Sequence, residues 1–180
     1  MMWSGAFTEM NKSNLRAICD AGPLIHLDEL NCIHLLSDFR EIILPNTVWQ
    51  EVNHHRPGAL LNKDISFRRI REGYPMSEVL RSMCRAFSLD AGETEALTIV
   101  EKVHFSIFFT DDASARLVAD RMGFRVHGTI GIIVRAIRKN YMNPNRVIQV
   151  LSDIPSKSSL YIKTSLLEEV IMEVRKEFPT

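Results

Sequence analysis

Six acidic residues form four clusters, Asp20, Glu51, Glu93/Glu95 and Asp111/Asp112, each where an apolar segment starts or stops. If the strands they border run parallel, those ends converge on one edge of the sheet, where open α/β sheets take their ligands. Two carboxylates ~5 Å apart repel by about 3 kcal/mol at an effective dielectric near 20. Four converging groups make six such pairs, hence roughly 20 kcal/mol, more than the ~5–15 kcal/mol that holds a domain together. A converged set must therefore take up protons, with raised pKa values, or hold cations. Oxygen donors without a His or Cys partner select Mg²⁺ or Mn²⁺. The chemistry then available is metal-activated water attacking a phosphodiester, with the metal also stabilising the leaving oxygen.

Each carboxylate also has a structural reading. Asp20 can cap the helix that Pro23 begins. Glu51 lies on a short helix, where exposure to solvent explains it. Glu93 can pair with Asp90 in a capping box and is favoured in a first helical turn, while Glu95 reads as exposed. Of Asp111 and Asp112, one can cap the next helix and the other has no evident structural task. The six histidines show no metal-ligand spacing, and there is no nucleophile elbow, P-loop or dinucleotide fingerprint. Arg116, Arg121, Arg125, Arg135, Arg138 and Lys139 are the densest basic cluster. His127-Gly-Thr-Ile-Gly131 reads either as backbone N–H groups for a phosphate or as a tight strand-to-helix turn. Arg116 and Thr129 are thus the candidate substrate contacts.

The elements that must position these groups alternate. Strands are expected over Leu15–Cys19, Glu41–Leu44, Phe105–Thr110 and Phe124–Val126. Helices are expected through Leu24–Leu27, around Ile33–Leu36, over Thr47–Val52 with Asn46 as its cap, and over Ser77–Phe87. Further helices follow Asp90 to Lys102, Asp112 or Ser114 to Gly123, and Thr129, as cap, to Arg138. His54–Lys63 reads as a loop, and Ile65–Gly73 fits either a strand or a helix. Two more helices, Asn145–Leu151 and Thr164–Glu177, follow. This order predicts an α/β fold with a mostly parallel sheet.

At 180 residues, 46% hydrophobic and 24% charged, the chain suits one soluble domain with a proper core. Residues 1–14 read as an N-terminal arm that makes a poor signal peptide, and 15–180 as one domain with a core of about 16–140 and a helical extension over 141–180. Lys+Arg and Asp+Glu are equal at 22 each, so a polyanion must be held by a local basic patch, not a global field. No apolar run approaches a membrane span. Three scattered cysteines without a C-x-x-C pair predict reduced buried thiols and a cytoplasmic protein.

Five motifs occur in one order: Asp20-Ala-Gly-Pro-Leu-Ile25, Leu44-Pro-x-x-Val48-x-x-Glu51-Val52, Leu89-x-x-Gly-Glu93-x-Glu-Ala-Leu97, Thr110-Asp-Asp-x-x-Ala-Arg116 and Gly123-Phe-x-Val-x-Gly-Thr-Ile-Gly131. In this the chain resembles the PIN-domain ribonucleases, especially the predicted nucleic-acid-binding branch related to VapC-like toxins. The resemblance implies a three-layer α/β/α fold and an acidic pocket. It makes Asp20, Glu51, Glu93 and Asp112 the catalytic set, with Asp20, Glu93 and Asp112 as ligands of Mg²⁺ or Mn²⁺ and Glu95 and Asp111 in reserve. It also implies an endoribonuclease, RNA as substrate, a small antitoxin as partner and a homodimer. Two features depart from the pattern: the third acid is Glu where the commonest toxins have Asp, and the arm precedes the usual start of the fold.

Overall fold

The computed structural model describes residues 15–104 and 106–179; the expected N-terminal arm and Phe105 lie outside them. Five strands, β1 (Arg16–Cys19), β2 (Glu41–Pro45), β3 (Phe67–Ile70), β4 (Ser106–Phe109) and β5 (Val126–His127), form one parallel sheet in the order β3-β2-β1-β4-β5. The three central strands are buried on both faces, so they read as continuous apolar runs rather than alternating ones. Their period of two still sorts the core. Ala17, Cys19, Ile42, Leu44, Ile107 and Phe109 meet helices α1 (Ala21–Glu29), α2 (Asn46–His55), α6 (Thr129–Arg138), α7 (Pro144–Lys157) and α8 (Thr164–Glu177). Ile18, Ile43 and Phe108 face the other way, onto α3 (Glu78–Ala86), α4 (Ala91–Lys102) and α5 (Ala113–Arg121). This is the expected three-layer α/β/α arrangement.

From β1 the chain moves outward to β2 and β3, then crosses back through α3 and α4 to place β4 on the far side of β1. The order of the sheet therefore reverses between β1 and β4, and their carboxyl ends open a crevice. Asp20 follows β1, and Asp111 and Asp112 follow β4.

Several local expectations change. Asn46 does not cap α2; it is the first residue of that helix, and its Oδ1 accepts two hydrogen bonds from the Arg69 guanidinium. The segment expected as a loop over 54–63 is instead the last turn of α2 and a 3₁₀ helix, Pro57–Leu61, with Ala59 buried. Ile33–Leu36 is likewise 3₁₀ rather than α. The undecided stretch 65–73 contributes the edge strand β3. Helix α7 outruns its forecast: Pro155 lies in its last turn, where a missing N–H costs one bond rather than a ladder. Gly123 ends α5 at φ 75°, a conformation side chains resist.

Candidate active site

Asp20 is held from three directions. Its backbone N–H donates to the Phe109 carbonyl across the β1–β4 seam (2.8 Å). Its Oδ1 caps α1 by accepting from the Ala21 N–H (2.8 Å), and its Oδ2 accepts from the Thr110 hydroxyl (3.1 Å). The Thr110 oxygen in turn accepts from the Asp112 N–H (3.2 Å), and Asp112 Oδ1 caps α5 on the Ala115 N–H (2.7 Å). One threonine thus couples the first and fourth strand ends. Glu93 completes the capping box of α4: it accepts from the Asp90 N–H (2.9 Å), while Asp90 accepts from the Glu93 N–H (2.8 Å).

These caps bring the carboxyls into one electrostatic field. Burial raises the Asp20 carboxyl from 3.8 to about 6; the Ala21 N–H and the Thr110 hydroxyl pull against the rise, and the charges of Asp90 and Glu51 add to it. Burial likewise raises Glu93 from 4.5 to about 7, opposed by the Asp90 N–H and reinforced by Asp112, Asp90 and Asp20. The exposed Glu51 on α2 therefore acts on Asp20, and Asp112 and Asp20 act on Glu93. Asp90 belongs to the same field, although its place in a capping box was its only mark in the sequence.

The two reserve ligands have hydrogen-bond partners of their own. Glu95, expected to be exposed, is partly buried and accepts from the Thr47 hydroxyl (2.8 Å). Asp111 has the structural task that the sequence left open. Its carboxylate accepts from His26 Nδ1 (2.8 Å), from the Thr129 N–H (2.7 Å) and from the Thr129 hydroxyl (2.5 Å). A negative charge thus sits on the N-terminus of α6, as its dipole favours. Thr129 is accordingly not a cap: Gly128 takes that position, and Thr129 is fully buried with both donors spent on Asp111. Its proposed substrate contact is corrected to a structural one, because neither donor remains free for a phosphate. A Cβ at Gly128 would lie 2.6 Å from Asp111 Oδ1 and 2.9 Å from Arg116 Nη1, so a side chain there would displace both groups. Arg116 is exposed beside this junction. The neighbouring His127 is pushed down to about 4 by burial and then by the Arg125, Arg116 and Arg135 charges.

Asp111→Ala removes a charged acceptor shared by α1 and α6 and is expected to destabilise the fold by about 2–4 kcal/mol. Urea unfolding measures this; a loss below 1 kcal/mol on the same scale would show that the junction is not structural.

The donor set has the chemistry of a hard-cation site: oxygen atoms only, from four chain segments, two of them holding their protons up to near-neutral pH. It is not a ready-made chelate. Among the described residues no three His, Cys, Asp or Glu side chains stand close enough to hold a metal ion. Each of Asp20, Glu93 and Asp112 is engaged in a capping hydrogen bond. The residues fit a divalent cation in kind, as hard oxygen donors, and would have to draw closer together to coordinate it.

A pH dependence follows. A carboxyl with a raised pKa lends stability that is complete below its unfolded value and is lost as pH rises through its folded value. For Asp20 and Glu93 that window runs from about pH 4 to about pH 7. Asp20 alone accounts for up to about 3 kcal/mol; Glu93 adds less, because it is more open to solvent. Metal-free protein is therefore expected to lose stability across this window, and Mn²⁺ is expected to restore more at pH 7.5 than at pH 5. Thermal melts with chelator or Mn²⁺ at the two pH values check this; equal shifts would contradict it.

Among the described residues no helix is long and apolar enough to cross a membrane, and Cys19, Cys32 and Cys84 are free and buried. The family model DUF3368: PIN domain matches residues 16–176. No curated protein and no solved structure matches the chain.

Proposed function

The chain belongs to the PIN-domain family, a nuclease-type fold that generally uses divalent metal ions, and on that premise we propose that it is a metal-dependent endoribonuclease, the toxin-like component of a toxin–antitoxin pair. The observation that carries this is the meeting of Asp20 and Asp112 at the β1–β4 switch point, with Glu93 within reach of both charges and burial lifting the Asp20 and Glu93 carboxyls toward neutrality. A bound cation would offset the cost of ionising these carboxyls at neutral pH.

Asp20, Glu93 and Asp112 would hold Mg²⁺ or Mn²⁺, with Glu51 completing the pocket. When bound, the ion supplies an activated water and neutralises charge at the phosphate. The chain's own work is to orient. Thr110 holds Asp20 and the Asp112 backbone in one register, and the Asp111 junction fixes the loop between them. Arg116, exposed beside β5, offers a contact for the phosphate backbone. Free buried thiols support a cytoplasmic location; RNA as substrate, a small antitoxin and a homodimer complete the reading.

Incubation with end-labelled RNA of mixed sequence, with Mn²⁺ or with a chelator, tests it directly. Cleavage that is absent under both conditions, or unaffected by the chelator, would sink it. The rival reading is a catalytically idle module that binds RNA or protein, and it draws on the capping bonds that already engage Asp20, Glu93 and Asp112. Calorimetric titration with Mn²⁺ separates the two: an idle pocket takes up no metal and releases no protons.

A further inference from the structure

At the β3 side of the same sheet edge lies a recess of about 230 Å³, lined among others by Pro45, Ile70, Arg71, Tyr74, Thr94 and Glu95. It is smaller than the roughly 300–1,000 Å³ typical of cofactor sites, a space for one base rather than a whole cofactor. Its position is set by topology. Pro45 and Ile70 end β2 and β3, and Thr94 and Glu95 belong to the first turns of α4, next to Glu93. The recess therefore adjoins the acidic crevice along the line of strand ends.

Its chemistry differs from that of the crevice. Tyr74 presents 38% of its surface to solvent. Arg71 is exposed and, among the described residues, takes part in no ion pair. Arg69, two residues earlier, has its guanidinium plane fixed by Asn46 Oδ1 (2.9 and 2.6 Å) and by the Trp49 ring 5.6 Å away. The lining also carries two acids, Glu72, which is exposed, and Glu95, which accepts from the Thr47 hydroxyl, so Arg71 is the contact for a phosphate at the outer rim of the recess. An exposed aromatic ring beside an arginine is a combination that holds single-stranded nucleic acid, by stacking and by contact with a phosphate.

We propose that this recess binds a nucleotide of the single-stranded RNA flanking the scissile bond, with Tyr74 stacking on a base and Arg71 contacting a phosphate. The inference rests on the nuclease reading above. The strand then crosses the whole sheet edge: Arg71 and Tyr74 lie beyond β3 at one end, the carboxylates sit at β1 and β4, and Arg116 stands beside β5 at the other. The four inter-strand steps span about 19 Å. Cationic groups on both flanks of an acidic centre would hold a polyanion that the centre alone repels.

The test is fluorescence anisotropy with a short fluorescein-labelled single-stranded RNA of mixed sequence, without added divalent metal. Tyr74→Ala is expected to weaken binding by about 5- to 100-fold, whereas Tyr74→Phe, which keeps the stacking face, should stay near wild type. Arg71→Ala should lower the slope of log affinity against log salt by about 0.7. Circular dichroism confirms that these surface variants fold. If the wild type binds RNA and both alanine variants bind it equally well, the recess is not part of the RNA path, as would hold for a peptide-binding groove. If the wild type binds no RNA at all, the inference falls, whereas the nuclease reading stands or falls separately on the Mn²⁺-dependent cleavage assay.

Discussion

Asp20→Asn is expected to abolish RNA cleavage and, at the same time, to stabilise the metal-free protein. The two effects share one cause. Asp20 is more deeply buried than its role as an N-cap requires, and its carboxyl is raised from 3.8 to about 6, so at neutral pH it is ionised at a cost to folding. Asparagine is as good an N-cap as aspartate. It can keep the acceptor for the Ala21 N–H and offer its amide to the Thr110 oxygen, with the charge alone removed. The gain should reach up to about 3 kcal/mol at pH 7.5 and vanish near pH 4, where the native carboxyl is already protonated. On the activity side, losing a charged group that acts on the phosphate commonly costs about 10²-fold or more. Thermal melts in chelator at two pH values and a labelled-RNA assay measure both halves. A variant that cleaves normally would remove Asp20 from the catalytic set, and one that is less stable at pH 7.5 would show that its charge serves the fold.

The second large effect lies outside the site. Asp38 and Arg135 form a bidentate ion pair in the core, both side chains 2% exposed, with Arg135 Nη1 donating to Oδ1 at 3.0 Å and Nη2 to Oδ2. The Arg135 guanidinium also covers the Phe39 ring at 4.9 Å, and Phe39 meets Phe109 edge-on with centroids 5.3 Å apart. This chain of contacts joins α6 to the segment before β2 and to the end of β4, one residue from Thr110. Asp38→Ala leaves the arginine charge in the core without its carboxylate, which costs about 3–5 kcal/mol. Asp38→Leu combined with Arg135→Met should recover much of that loss, because two apolar residues need no partner. Urea unfolding of the single and double variants decides the point. A loss below 1 kcal/mol in Asp38→Ala would mean that the arginine is solvated or repaired by a neighbour.

Much of the frame was legible because it rests on local signals. The apolar runs around β1, β2 and β4, the capping box Asp90-x-x-Glu93 and the Gly123 stop each act over a few residues. Where expectation and structure part, a distant residue intervenes. Asn46 has the right type for a cap, yet Arg69 on the neighbouring strand takes its oxygen. Thr129 also looked like a cap, but Asp111 consumes both of its donors. Glu95 was read as exposed because nothing near it in sequence announces Thr47. Within the acidic series, sequence could name the residues but not sort Asp111 from Asp112. Their side chains leave the strand end in opposite senses, one into the α6 junction and one onto α5.

The sequence by itself determined that acids end several apolar segments, that those segments alternate as strand and helix, and that the sheet is parallel. Periodicity and capping carry that information, and both are short-range. The tertiary structure alone decided which carboxyls share a field, since the reversal of strand order at β1 and β4 is set by packing across the whole domain. It also decided that Asp111 holds the fold while Asp20 and Glu93 bear the electrostatic pressure. Desolvation and Coulomb repulsion act through space, and only the folded chain fixes those distances.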